Sequence, residues 1–137
     1  MGTDKPIMLV CSDNIRSSII ANCLIRAGVN AERIVKVKEI NLALANLMGR
    51  NFAMVVSDHN GGINGVELLN EIRNSAENGE FKSIPFIIIA KRGTPEDIRE
   101  AGRLGITAFI LFDPPLDPKA ETDFLYKLEG VLTGWLI

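Results

Sequence analysis

Short apolar runs and longer amphipathic stretches alternate five times along the chain. Residues 7–11 are apolar throughout and too few for a helix, so they predict a buried strand. Ile15, Ile19, Cys23 and Leu24 then recur at helical spacing, and Gly28 supplies a stop. Residues 33–38, with Ile34, Val35 and Val37 apolar, predict a second strand. The stripe Ile40, Ala43, Leu44 and Leu47 predicts a second helix ending at Gly49. Residues 53–57 form the third apolar run, and Val66, Leu69 and Ile72 follow at helical spacing. Residues 86–89 are the most hydrophobic run, which predicts a central strand. Thr94-Pro95-Glu96-Asp97 then reads as a helix start: Thr94 caps, Pro95 suits the first turn, and the acids face the positive helix end. Ile98, Ala101 and Leu104 are expected to face inward, with Gly105 ending that helix. Residues 108–112 make a fifth strand. After Asp113-Pro114-Pro115, a last helix over 120–132 buries Phe124, Leu125, Leu128 and Leu132.

Continuous apolar strands alternating with helices predict a parallel sheet covered on both faces. Right-handed crossovers leave few topologies. The expected fold is a doubly wound α/β domain with a five-stranded parallel sheet in the order 2-1-3-4-5. It is read as a single domain over 1–137 with its core at about 6–133. A chain of this length buries about two-thirds of its unfolded surface.

Charge narrows the choice of partners. Fifteen basic and 17 acidic residues give a net charge of −2, so there is no electrostatic footprint for nucleic acid. The longest apolar run is strand-sized, so no membrane segment is expected. Thr3-Asp4-Lys5-Pro6 leads directly into the first strand, so no signal peptide is expected. Cys11 and Cys23 fall in a core strand and a helix and read as reduced thiols of a cytoplasmic protein.

The third strand carries the most informative chemistry. Its β-branched run stops at Asp58, a polar loop His59-Asn60-Gly61-Gly62-Ile63-Asn64 follows, and a helix begins near Gly65. Asp58 is therefore expected at the carboxyl end of a buried strand, where open α/β sheets place their ligands. The ends of strands 1, 4 and 5 bring Ser12 and Asp13, Ala90 and Lys91, and Phe112 and Asp113 to the same rim. Asp13 and Asp58 can share a divalent cation, with the backbone carbonyl near Asn60 as a further oxygen donor. The alternative is that these acids cap nearby helices.

The segment from Val55 to Arg73 resembles the phospho-acceptor segment of bacterial response-regulator receiver domains, the CheY-like family. Met8-Leu9-Val10-Cys11-Ser12-Asp13 resembles the family's first strand and acidic pair. Residues 83–89 are similar to the entry into its fourth strand, and 101–109 to its passage from helix 4 to strand 5. The resemblance implies a two-component or phosphorelay signalling domain and not an enzyme. By this resemblance Asp58 is the phospho-acceptor, Asp13 and Asp58 hold Mg²⁺ with Ser12 at the place of the first acid, and a histidine kinase supplies the phosphoryl group. It also implies a partner face on helix 4, strand 5 and helix 5, with Arg99, Arg103, Phe109 and Lys119 on or near it. That face would receive a downstream protein or a second copy.

The departures from the family pattern bear on mechanism. The family's hydroxyl position is Ala90, and its Lys position falls on Phe112 without gaps or on Asp113 if the prolines are aligned. Phosphoryl transfer is catalysed mostly by positioning and by neutralising equatorial charge. Losing such a Lys is expected to cost on the order of 10² or more in rate. Ala90 cannot bond a phosphoryl oxygen, so Phe109, resembling the family's rotating aromatic, loses its coupling partner. The expected function is a receiver with a degenerate site, a pseudo-receiver acting largely through protein interaction. A conventional Mg²⁺-dependent switch at Asp58 is the alternative. Lys91 and Arg92 are candidates to replace the missing charge. His59 is expected at the rim, and Gly61-Gly62 in place of the family's Met-Pro is expected to loosen the loop.

A rival reading starts from Cys11. The run from Val10 to Ser17 is similar to the phosphate loop of low-molecular-weight protein tyrosine phosphatases, with Asp113-Pro114 as the acid. That loop needs one more residue between Cys11 and Arg16, and the missing residue turns the arginine by about 100° around the helix. A flavodoxin reading lacks a Gly/Thr-rich phosphate cradle after the first strand. Trp135-Leu136-Ile137 is an unusually apolar end. It is expected to pack on the last helix, to pair with another chain, or to lead into an output domain.

Overall fold

The computed structural model describes residues 5–75 and 80–136. Five parallel strands stand in the expected order, β2-β1-β3-β4-β5. They are β1 (Ile7–Val10), β2 (Ile34–Val37), β3 (Met54–His59), β4 (Phe86–Ala90) and β5 (Ala108–Leu111). The helices are α1 (Asn14–Arg26), α2 (Ile40–Gly49), α3 (Gly65–Arg73), α4 (Pro95–Arg103) and α5 (Pro118–Leu136). Single 3₁₀ turns at Ala31–Arg33 and Glu80–Ser83 lead into β2 and β4.

Each face of the sheet carries its own core, because successive strand residues point to opposite sides. Ile7, Leu9, Met54, Val56, Ile87, Ile89 and Ile110 pack against α1 and α5 through Ile20, Leu24, Phe124 and Leu128. Met8, Val10, Val55, Phe86, Ile88 and Ala90 pack against α2, α3 and α4 through Ala43, Leu68, Ile72 and Ala101. β3 is the middle strand, and β4 lies between it and β5 rather than at the centre. All five residues of β4 are nevertheless buried, which accounts for its unbroken hydrophobicity.

Two helices meet the sheet on a different face from the one their apolar spacing suggests. In α1, Ile15 is 75% exposed and Ile19 lies at the surface, while Arg16, Ser17, Ile20, Ala21, Cys23 and Leu24 turn inward. The frame is set by Asp13, whose carboxylate accepts from the N–H groups of Ile15 and Arg16 and so fixes where the first turn begins. In α4, Ile98 is half exposed, and Ala101 and Leu104 carry the contact. The Thr94 cap and the Pro95 start are as expected, with Thr94 Oγ1 accepting from Asp97 N–H at 3.0 Å.

β3 also runs two residues further than its apolar pattern. Asp58 and His59 are inside the ladder, opposite Ile89 and Ala90. This extension positions the site, since it sends the two polar side chains to opposite faces of one strand.

Candidate functional site at the strand ends

Asp58 lies on the α1/α5 side of the sheet and is completely buried. A buried carboxylate needs a partner, and it has one in Arg16. The Nε–H of Arg16 donates to Asp58 Oδ1 at 2.7 Å, and its Nη2 donates to the carbonyl of Ile89 at 3.1 Å. The guanidinium lies 5.7 Å from the ring centroid of Phe112, which in turn stacks on Phe124 at 4.2 Å. Arg16 is thus bound by a carboxylate, a strand carbonyl and an aromatic face, and it is as buried as the core around it.

The other oxygen of Asp58 is covered as well. The Cys11 thiol donates to Oδ2 at 3.8 Å. The loop after β3 lies directly on the carboxylate, so that a Cβ on Gly61 would overlap Oδ2. Gly62 has a φ of +95°, and a Cβ there would overlap the Ser12 hydroxyl. Ser12 Oγ donates to the Gly61 carbonyl at 2.9 Å and ties this loop to the end of β1. The two glycines therefore serve close approach as well as backbone freedom.

His59 is buried on the opposite face, and not at the rim as expected from the sequence. Its Nδ1 accepts from the Gly65 N–H at 3.0 Å, and its Nε2 lies 3.0 Å from Asp97 Oδ2. Phe109 meets the ring edge-on at 6.2 Å. The side-chain bond from His59 holds the Asp97 carboxyl below the usual carboxylate range.

The remaining candidates separate cleanly. Ala90 is buried beside His59, and the N–H of Phe112 donates to the Ala90 carbonyl at 2.7 Å. Phe112 faces Arg16, while Asp113 is exposed. Lys91 is half-buried and reaches the site through its backbone N–H, which donates to the His59 carbonyl; Arg92 is exposed. The positive charge at Asp58 comes from α1 and not from the loop after β4. Arg99, Arg103 and Lys119 are exposed, with Arg103 paired to Glu100 at 2.6 Å and Lys119 to Asp123 at 3.5 Å. Trp135 is 56% exposed; Ile137 lies outside the described residues.

A divalent ion requires free hard oxygen donors. Asp13 Oδ1 accepts two N–H groups of α1 at 2.9 and 3.3 Å, and Asp58 Oδ1 is engaged by Arg16. Among the described residues, no three His, Cys, Asp or Glu side chains gather into a metal-binding group. A guanidinium already balances the Asp58 charge where a cation would be needed, so this arrangement does not fit Mg²⁺. The phosphatase reading also meets resistance. Burial, followed by the nearby Asp58 charge, pushes the Cys11 thiol up to about 11, the opposite of what a nucleophile requires.

Arg16 is the residue that the sequence reading missed as a partner of Asp58. Its signal was a second helical stripe, Arg16, Ile20, Cys23 and Leu24, shifted by one residue from the stripe that begins at Ile15. An arginine at the head of an inward stripe demands a buried acceptor.

No family model matches the chain, and no curated protein matches it by sequence. Solved structures do match in fold. The phosphorylated cyanobacterial phytochrome response regulator RcpA is similar over 96% of this chain and 94% of its own, at 21% identity and a TM-score of 0.73. The Mn²⁺-bound form of the response regulator Rcp1 matches over 96% and 94%, at 19% identity and a TM-score of 0.72. The chemotaxis response regulator CheY4 of Vibrio cholerae matches over 90% and 98%, at 19% identity and a TM-score of 0.66. Strand order, helix placement and this likeness agree: the chain has the fold of CheY-like response-regulator receiver domains.

Proposed function

We propose that the chain is a non-enzymatic receiver module of a two-component or related signalling pathway, and that its signal is carried by docking rather than by phosphorylation of Asp58. One observation carries this reading: the Asp58 carboxylate is fully buried and already paired with Arg16 at 2.7 Å. A phosphoryl group on Asp58 would have to displace the guanidinium or lift the Gly61 loop. It would then meet Ala90 and Phe112, which offer neither a hydroxyl nor a positive charge. In-line transfer depends on such positioning and charge neutralisation. The partner is a histidine kinase or a downstream signalling protein in the cytoplasm. The docking face is α4, β5 and α5: Arg99, Arg103 and Lys119 are exposed on these helices, Phe109 is half-buried in β5, and the apolar side chains Ile98 and Leu111 are exposed on α4 and β5. A second copy of the chain can occupy the same face.

Intact mass after incubation with Mg²⁺ and acetyl phosphate tests the reading, with Asp58→Asn as the control. The expected result is no mass gain under conditions that label a receiver with a complete site. One phosphoryl group on the native chain that the control lacks would restore the conventional switch.

A further inference from the structure

The chain holds three Asn-Gly steps, at Asn60–Gly61, Asn64–Gly65 and Asn78–Gly79. At such a step the main-chain nitrogen meets little hindrance in attacking the preceding side-chain amide, because glycine puts no Cβ in the way. The last step lies outside the described residues. The first two share one loop and are held in opposite ways.

At Asn64–Gly65 both reacting groups are engaged. Asn64 Oδ1 accepts from the Glu67 N–H at 3.0 Å and caps α3. The N–H of the buried Gly65 donates to His59 Nδ1 at 3.0 Å. A reaction there must first break both bonds and open the first turn of α3.

At Asn60–Gly61 the reacting groups are free. Asn60 is exposed, and its side-chain amide bonds to none of the described residues. The Gly61 N–H likewise has no acceptor among the described residues. The bonds of this segment hold only its flanks: the Asn60 N–H donates to the Ile63 carbonyl at 3.2 Å, and the Gly61 carbonyl accepts from Ser12 Oγ at 2.9 Å. Asn60 has a φ of +71°, outside both helix and strand, so no ladder fixes it.

We propose that Asn60–Gly61 is a site of spontaneous deamidation that modifies the loop covering Asp58. The Gly61 nitrogen bonds to Asn60 Cγ. The side-chain amino group leaves with the Gly61 amide proton as ammonia, and a cyclic imide remains. Water then opens one of the two ring C–N bonds. Opening at the former side-chain carbonyl gives aspartate. Opening at the main-chain carbonyl gives isoaspartate, whose chain runs through the former side chain and is one methylene longer. Water is the only co-reactant, and nothing is oxidised or reduced. Either product adds one negative charge two residues after Asp58. Isoaspartate also lengthens the chain directly before Gly61, which packs so closely on Asp58 Oδ2 that a Cβ there would overlap it. The change is one-way, so the cover of Asp58 alters with the age of the molecule. The proposal holds whether or not Asp58 accepts a phosphoryl group.

The test incubates the full chain in mildly alkaline buffer at physiological temperature, folded or in urea, with samples taken over days. Tryptic peptide 51–73 carries the first two steps and peptide 74–82 the third, so fragment masses give the conversion of Asn60 and Asn64 from the same peptide. In the folded chain Asn60 is expected to convert at least about tenfold faster than Asn64, since Asn64 must first lose a cap and a buried hydrogen bond. In urea both steps lose their tertiary partners and the two rates are expected to converge. Asn60→Gly, with a residue suited to the left-handed φ, is expected to remove the fast conversion and leave Asn64 as slow as before. Comparable rates at the two steps in the folded chain, a faster rate at Asn64, or a folded chain in which Asn60 stays intact overturns the proposal.

Discussion

Arg16 and Asp58 are 42 positions apart in the chain and 2.7 Å apart in the core. Both are removed from water, and that asymmetry governs what their substitution does. Removing one partner leaves the other buried and uncompensated, whereas replacing both with apolar groups removes the desolvation problem along with the attraction. Arg16→Ala and Asp58→Ala are each expected to cost about 3–5 kcal/mol in urea unfolding. The double variant Arg16→Met/Asp58→Leu is expected to cost clearly less than the sum of the two. Strict additivity would mean that the two side chains are not coupled. Cys11 supplies a pH test at the same spot. Its folded thiol is raised to about 11, so the folded chain keeps a proton that the unfolded chain releases near its ordinary value of 9.0. The stability that Cys11 contributes is therefore present below pH 9.0 and falls as pH rises towards about 11. At pH 8 its alkylation by iodoacetamide is expected to be negligible in the folded chain and prompt in urea; equal rates would show that the thiol is not held this way.

Helices are tied to one another at their ends, and Arg73 does much of this for α3. Its Nε and Nη2 donate to the carbonyls of Leu104 and Gly105 just after α4, at 2.9 and 3.2 Å. Its Nη1 donates to the Lys82 carbonyl in the 3₁₀ turn before β4, at 2.9 Å. One planar fork thus satisfies three chain carbonyls and joins α3, α4 and the entry to the fourth strand. Arg73→Ala is expected to cost about 1.5–3 kcal/mol, the range for hydrogen bonds from a charged donor. Arg73→Lys is expected to recover less than half of that, because an ammonium cannot reproduce the fork. A lysine variant as stable as the native chain would show that water serves those carbonyls equally well. Ile98 on α4 and Leu111 on β5 leave apolar surface exposed.

For the molecule as a whole, the decisive question is whether a cation adds anything that Arg16 does not already provide. A ligand that binds only the folded state raises stability by RT ln(1 + [L]/Kd), about 2.7 kcal/mol at a hundredfold excess over Kd. In a domain of this size that raises the melting temperature by several degrees. Millimolar MgCl₂ is expected to move the melting temperature of this chain no further than NaCl of equal ionic strength. A Mg²⁺-specific rise that Asp58→Asn abolishes would show that the acidic end of the sheet still holds an ion despite the guanidinium. Among the described residues, no helix is long and apolar enough to cross a membrane.

The five alternations of strand and helix, their order and the place of Asp58 at a strand end were legible in the sequence. Each is written locally, in runs of apolar residues, in the Thr94-Pro95 helix start and in the glycines that end helices. Right-handed connections then leave almost one way to assemble them. The partners of Asp58 and His59 were not legible. Both lie past the apolar run of β3, so nothing local marked the face to which either side chain points. Arg16 and Asp97 reach them from different helices, and those contacts depend on helix rotation, which the apolar stripe of α1 suggested one residue out of step. Only the packed sheet decided that Arg16 points at Asp58 and that His59 is a core residue, because a buried charge and a buried imidazole are stable only where another element brings the complementary atom within bonding distance.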